Sequence, residues 1–374
     1  MLRSLYAGIS GMKVNQAKLD VIANNIANVG TTAFKSSRVR FQDMVSQSMS
    51  ESSSSSTNQG GVNAKQIGLG VQIAGIDTMV GQGMMQPTSR NLDVAVDGEG
   101  YLMVAKGAVP ATNAAGTTGM SISYTRDGAL TLDDKGNLLN SDGLRVLGYA
   151  ISSTSTSPAS TSLTYAASKP TSVYVNANGT YKAGSTLIPL VIPDVITVPA
   201  VAQVGTPASA DYAAAIPQVG VVGDPNYAAA VAQVGTAPSA NYSAAVSAHT
   251  SRITTFSIEK DGEIKAVLED GSVSVLGQIA MASFKNPAGL KKEGGNLFTN
   301  TSNSGAAVVR SGVGATQDNS GGYGDMLQGM LEMSNVDLAE QFTDMIVASR
   351  AFQAMGKTIN TGDEILQDII GLKR

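Results

Sequence analysis

Residues 2–29 read LRSLYAGISGMKVNQAKLDVIANNIANV, and their spacing decides the fold. Leu2, Leu5, Ile9, Met12, Leu19, Ala23 and Ile26 recur at alternating intervals of three and four, with Gln16 filling the one gap. That is a heptad stripe along one helix face. The helix is predicted to stop near Asn28, where Val29, Gly30, Thr31 and Thr32 combine a glycine with β-branched residues. The far end of the chain repeats the pattern. Leu331, Leu338, Met345, Phe352, Ile359 and Leu366 return every seven residues, and Ala348, Met355 and Ile369 each follow a member by three. Ser334 with Asp337 three residues on reads as a capping box, and Asp337 and Glu340 place negative charge at the positive end of the helix dipole. Residues 335–372 would form a rod of roughly 57 Å at 1.5 Å per residue. Gly356 and Gly362 inside it point to close helix approach or to bending.

Between the helices the period falls to two, as in Leu92-Asp93-Val94-Ala95-Val96 and Ser121-Ile122-Ser123-Tyr124-Thr125. Five Asp-Gly pairs, at 97, 127, 142, 261 and 270, flank such segments and supply the positive φ of tight hairpins. The fold class is therefore α+β, mainly β: long N- and C-terminal helices pair as a coiled-coil-like rod, with two inserted antiparallel β domains. Residues 1–30 and 331–374 are assigned to a terminal helical polymerisation domain, and 31–70 to a partly Ser-rich linker. Residues 71–150 and 280–330 form an inner β domain and 151–279 an outer one. Residues 46–59 hold eight serines and too little apolar area to order themselves, so they read as a mobile loop. Within the outer domain Gln-Val-Gly recurs at 203, 218 and 233, with Tyr212, Tyr227 and Tyr242 nine residues after each. This fifteen-residue repeat at 203–247 is either a low-complexity insertion or an outer contact surface.

Composition removes most chemistries. The 374 residues carry 25 Lys+Arg against 29 Asp+Glu, a net charge of -4, so nothing favours nucleic acid. With no cysteine and one histidine, His249, there is no thiol nucleophile, zinc cage or two-histidine metal site. His249 reads as a solvated surface residue. Asp93, Asp97 and Glu99 cluster, but as parts of a strand and its turn. No catalytic, cofactor-binding or metal-binding residue is assigned, and no cofactor. Neither a membrane span nor a cleavable signal peptide is read. What is left is the helical faces: two apolar stripes present more surface than one hairpin covers, which points to self-association into an open polymer.

The residues that extend these stripes resemble a known family. Val21-Ile22-Ala23-Asn24-Asn25-Ile26-Ala27-Asn28-Val29 followed by Thr31-Thr32-Ala33-Phe34-Lys35 is similar to the N-terminal signature of the bacterial flagellar rod and hook proteins, which usually have glycine where Ala33 stands. Residues 91–101, Tyr124-Thr125-Arg126-Asp127-Gly128 and Glu332-Met333-Ser334-Asn335-Val336-Asp337-Leu338 resemble the family's first strand pair, its next hairpin and the entry to its C-terminal helix. Roughly residues 150–280 have no match. The resemblance makes Asn24, Asn25, Ala27, Asn28, Phe34, Lys35, Ser334, Asn335 and Val336 signature positions. It implies a helical homopolymer whose terminal helices line a channel, with β domains outside. The implied partners are rod, hook-cap and hook–filament junction proteins and the flagellar type III export apparatus, through which members leave the cell unfolded. Gly68-Leu69-Gly70-Val71, the stretch 143–149, Met345-Ile346-Val347-Ala348-Ser349-Arg350 and the large central insertion look like the family's hook members, which form a flexible universal joint; distal rod members are the alternative. A surface adhesin is the competing class, motivated by the Gly/Ser/Thr/Tyr-rich middle.

Overall fold

The computed structural model describes the chain outside residues 1, 55–59, 110–116, 118, 154–160, 167–168, 200–246, 311–323 and 373–374. The tyrosine repeat lies almost wholly outside the described residues. Two long helices, α1 (Leu2–Ala27) and α2 (Leu338–Gly371), pack antiparallel. Asp337 caps α2, its carboxylate accepting from the Ala339 and Glu340 amides. That corrects the capping box: Ser334, four residues before the helix begins, instead accepts from the Val336 amide. Leu331 is corrected too. It lies in the strand Met330–Glu332, so the C-terminal stripe starts at Leu338 and α2 is roughly 51 Å long.

The seam between the helices is set by glycine. A Cβ on Gly8 would stand 3.1 Å from Ile359, one on Gly11 3.2 Å from the Met355 sulfur, and one on Gly362 3.1 Å from Leu5. Farther along, Lys18 pairs with Asp344 at 3.1 Å and Asn25 donates to Gln341 at 2.9 Å. The buried line on α1 is thus Gly8, Gly11, Val14, Ile22 and Asn25, one residue out of step with the predicted stripe. Of that stripe, Leu5, Met12, Leu19 and Ile26 are half-buried, while Ile9 is 41% exposed. The reason is reach: axes brought together over glycines leave no room for leucines on the line of centres. On α2 the prediction holds better, with Ala348 buried and Met345, Met355, Ile359 and Leu366 half-buried, although Phe352 keeps 39% exposure. Gly356 faces open space.

After α1 the chain runs out and back as a ribbon beside it. β1 (Ser37–Asp43) pairs with β4 (Val71–Thr78), and β2 (Ser46–Ser50) with β3 (Lys65–Gly68), all antiparallel. About half of the described residues expected to form a linker are therefore laddered, and 55–59 of the serine-rich stretch lie outside the described residues. Low apolar content rules out a core but not a ribbon, whose backbone bonds need no buried side chains. β5 (Met85–Pro87) and β6 (Val94–Asp97) then pair with Met330–Glu332 and Asp325–Gln328, drawing the two ends of the β region together.

Apart from Leu163–Ala166 and Lys169–Ser172, which pair with each other as a separate hairpin, the remaining described strands make one connected network. Its central path runs Val195–Val198, His249–Ile258, Glu263–Leu268, Val273–Ile279, Arg145–Ser153, β7 (Tyr101–Gly107), β8 (Met120–Thr125), Leu297–Thr299, Lys291–Gly294. Arg145–Ser153 meets β7 through its first two residues and Tyr181–Pro189 from Leu147 onward. The expected division at 150 falls inside this strand, and one apolar cluster joins Val94, Leu102 and Leu138 to Leu190, Ile196 and Ile264. Gly262 and Gly271 take φ of 80° and 79° in their hairpins, as the Asp-Gly pairs require. Gly128 does not have positive φ; a Cβ there would overlap the Val94 carbonyl, so close approach explains it. His249 is exposed on its strand. No described helix is long and apolar enough to cross a membrane.

The glycine seam yields a contrast. Gly8→Leu is expected to cost about 1–3 kcal/mol by overpacking, melting helical circular dichroism ahead of the β signal. Gly356→Ala should instead gain up to about 1 kcal/mol of helix propensity.

Candidate functional site

The helices enter the β region through residues 28–36 and 333–337, and these two crossings are bound to each other. Glu332 closes them at the bottom. Its carboxylate takes the Lys35 ammonium at 2.6 Å, the Arg126 guanidinium at 3.3 Å and the Gly83 amide at 2.8 Å. Lys35 and Glu332 have no exposed side-chain surface, and Arg126 has 4%. Two cations against one carboxylate leave a surplus charge, which backbone carbonyls absorb: Lys35 donates to Gly81 at 2.9 Å, Arg126 to Gly100 at 2.8 Å and to Gly98. Burial draws the Lys35 pKa below its ordinary value against the pull of Glu332. Burial likewise pushes the neighbouring Tyr101 phenol to about 12, with Arg126 5.7 Å from its ring.

Above this group the signature asparagines act as backbone partners. Asn25, 1% exposed, accepts from the Ser37 amide at 3.0 Å and donates to the Ser37 carbonyl at 2.9 Å, pairing the first residue of β1 as a strand would. Asn335 accepts from the Ser36 amide at 2.8 Å and donates to the Met79 and Gly81 carbonyls at 2.8 and 3.1 Å. Asn28 accepts from the Thr31 hydroxyl and donates to the Asn24 carbonyl, closing the end of α1. Ala33 takes φ of 56°, the left-handed conformation for which glycine is the usual choice, and its amide donates to the Glu332 carbonyl at 2.8 Å. The turn is thus kept although the glycine is not. Phe34 lies beneath Lys292, whose ammonium is 5.0 Å from the ring and donates to the Lys35 carbonyl at 2.8 Å. Asn296, from the same hairpin, donates to the Thr32 carbonyl at 2.9 Å.

The structure therefore brings Asn25, Asn28, Phe34, Lys35 and Asn335 into one junction. Asn24 and Ala27 stay exposed beside it, and Ser334 and Val336 form the turn into α2. Sequence reading named neither Lys292 nor Asn296, and it quoted Arg126 and Glu332 without giving them a role. Their signal was weak: Lys292 sits between Lys291 and Glu293, Arg126 precedes Asp127, Asn296 is an uncharged turn residue, and only Glu332, between Leu331 and Met333, stands alone among apolar neighbours.

A second feature is the outer side of the helix pair. Tyr6 is 69% exposed, Phe342 49%, Ile346 62% and Val347 55%. None of the described residues covers them.

A junction that joins both chain ends, with a rod of paired helices carrying uncovered apolar groups, defines a structural subunit. The comparisons agree. Residues 5–35 match the family model for the flagella basal body rod protein, 95–206 that for the flagellar hook protein FlgE/F/G D1 domain, and 327–372 that for the flagellar basal body rod FlgEFG protein C-terminal region. The flagellar basal-body rod protein FlgG of Bacillus subtilis is 36% identical over 374 residues, covering 100% of both chains. The flagellar hook protein FlgE of Borreliella burgdorferi is 32% identical over 459 aligned positions, again covering 100% of both. A solved hook protein from Helicobacter pylori overlaps 66% of this chain and 100% of its own at 11% identity, with a TM-score of 0.33, too remote to bear on the arrangement of parts. The chain belongs to the flagellar basal-body rod and hook protein family. It is a structural component of the flagellum and not an enzyme.

The junction generates two expectations. Glu332→Gln strands two buried cations and should cost about 3–5 kcal/mol in denaturant unfolding. Lys35→Met should cost less, because the Arg126–Glu332 pair stays balanced. At Ala33, Gly substitution relieves about 1–2 kcal/mol of left-handed strain and gives up a buried methyl group and some chain stiffness. A Tm close to the parent's is expected, whereas Ala33→Val, β-branched at positive φ, should lower it clearly.

Proposed function

We propose that this chain is the repeating subunit of the flagellar hook, assembling through its terminal helices into a tube that carries torque from rod to filament. The observation behind assembly is the uncovered apolar side of the helix pair, with Ile346 at 62% and Phe342 at 49% exposure. Clustered large apolar groups left in water mark an interaction surface. A second copy suits it, since a contact between different faces that does not close on itself builds an open helical polymer. Leu2, Leu5, Ile9, Met12, Leu19 and Ile26 on α1 and Leu338, Met345, Phe352, Ile359 and Leu366 on α2 serve this packing in two ways. The half-buried members support the pair, and Ile9, Leu338 and Phe352 lean outward.

The hook assignment draws support from the full-length likeness to a hook protein and from the strands between residues 181 and 279, which extend the sheet beyond Arg145–Ser153. A distal rod protein is the second reading, favoured by the 36% identity to a rod protein. On the hook reading the neighbours are rod, hook-cap and hook–filament junction proteins. The chain then reaches the outside of the cell unfolded, through the flagellar type III export apparatus.

Deletion of the gene in its host followed by electron microscopy of basal bodies separates the readings. Complete rods without hooks are expected; truncated rods would make this the rod protein, and intact flagella would overturn both. Ile346→Asp, on the outer side of α2, should abolish polymers and leave the circular dichroism of the chain unchanged.

A further inference from the structure

The ribbon beside α1 is not continuous. The β1–β4 ladder ends at Asp43↔Val71 and the β2–β3 ladder begins at Ser46↔Gly68. Between them one backbone bond crosses, from the Met44 amide to the Gly70 carbonyl at 2.8 Å. At this break the ribbon touches the helix. Gly70 has φ of 129°, and a Cβ there would overlap the Ser10 hydroxyl and stand 3.6 Å from Ala7 Cα. Position 70 thus demands glycine on two separate grounds, conformation and space. Ser10 accepts from the Val71 amide at 3.4 Å and donates to the Ala7 carbonyl at 2.9 Å, which fixes its own rotamer.

Past this point no described residue covers the ribbon. Every residue of β2 and β3 is exposed, Met49 at 66% and Ile67 at 40%, and Val45 at the break is 78% exposed. A lone two-stranded ribbon is marginal in water, and one carrying large apolar groups needs a surface to lie on. The occupant that fits is a second copy of this chain, because the ribbon projects from the same helix pair whose outer side is uncovered.

We propose that the contact between Ser10 and Gly70 is the anchor that sets the direction in which β2 and β3 leave the helix pair, and so how they meet a second copy. Ser10 and Gly70 are positioning residues; neither needs to touch the neighbour. The proposal rests on the reading of this chain as a polymer subunit.

The chain has no cysteine, so paired labels can be placed cleanly, at Lys13→Cys on α1 and Ser48→Cys on β2, in the full-length protein. Distance distributions by electron spin resonance and polymer shape by electron microscopy are then read for each variant. Gly70→Ala is expected to shift or broaden the distance and to change polymer curvature or block assembly. Adding Ser10→Gly, which vacates the space, should restore both in part, a non-additive result that general loss of stability would not produce. Ser10→Ala should speed exchange of the Val71 amide severalfold. An unchanged distance in Gly70→Ala overturns the anchor. A shifted distance with parental polymers overturns its part in assembly. A labelled parent that forms no polymer overturns the subunit reading, while the distances still decide the anchor.

Discussion

The Glu332 carboxylate sits between Lys35 and Arg126, three charges with almost no water to turn to. Lys35 lies 297 residues before Glu332 in sequence and Arg126 lies 206 before it, so the group gathers the exit from α1, the end of β8 and the approach to α2 at one point. Bringing such distant segments together costs loop-closure entropy, which grows only slowly with length. Leaving a buried cation unpaired costs more. At Lys35 desolvation outweighs the pull of Glu332, so the group contributes less to net stability than to which segments meet. Everything above it, from Asn335 bridging Ser36 and Met79 to Asn25 pairing Ser37, depends on the two crossings being held side by side.

The same segregation of tasks runs up the helices. On α1, glycines face α2 and the leucine-type stripe flanks the line of contact, half in and half out. A conventional leucine seam would spend that stripe within one molecule. Close approach over Gly8 and Gly11 does the intramolecular packing with backbone and small groups. The larger side chains are then left for another surface.

Much of this was legible beforehand. Two amphipathic helices at the chain ends, an antiparallel β middle and the Asp-Gly hairpins at 142, 261 and 270 follow from periodicity and turn chemistry and stand with small shifts in boundary, whereas Gly128 lacks the positive φ and Asp97-Gly98 joins strands that do not pair with each other. The heptad phase on α1 was misread because periodicity counts apolar residues, and a helix pair closed over glycine hides its seam from that count. Leu331 was drawn into the stripe because a spacing of seven says nothing about whether the chain is still helical; Asp337, which caps α2 with its own carboxylate, marked the true start. The ribbon was missed because serine-rich composition argues against a core, and a ribbon has none. The charge group was illegible in principle: Lys35, Arg126 and Glu332 are unremarkable apart, and only the fold shows that burial makes them interdependent.

Two chain segments, not one, connect the helices to the β region, and this has a mechanical consequence. A single covalent crossing is a swivel, since rotation about the backbone there meets little resistance. Here residues 28–36 and 333–337 cross side by side, and the Asn335 amide donating to the Phe34 carbonyl, the Ser36 amide donating to Asn335, and the Ala33 amide donating to Glu332 tie them at three heights. Turning one part about the helix axis then requires these bonds to shear together instead of one after another. Lys292 and Asn296, reaching back from the β region to Phe34, Lys35 and Thr32, brace the same crossing from the side. The paired crossing thus resists twist within the chain through two backbone–backbone bonds, Asn335 to Phe34 and Ala33 to Glu332, and one bond to the Asn335 side chain, which fits the proposed reading of the chain as a subunit that carries torque.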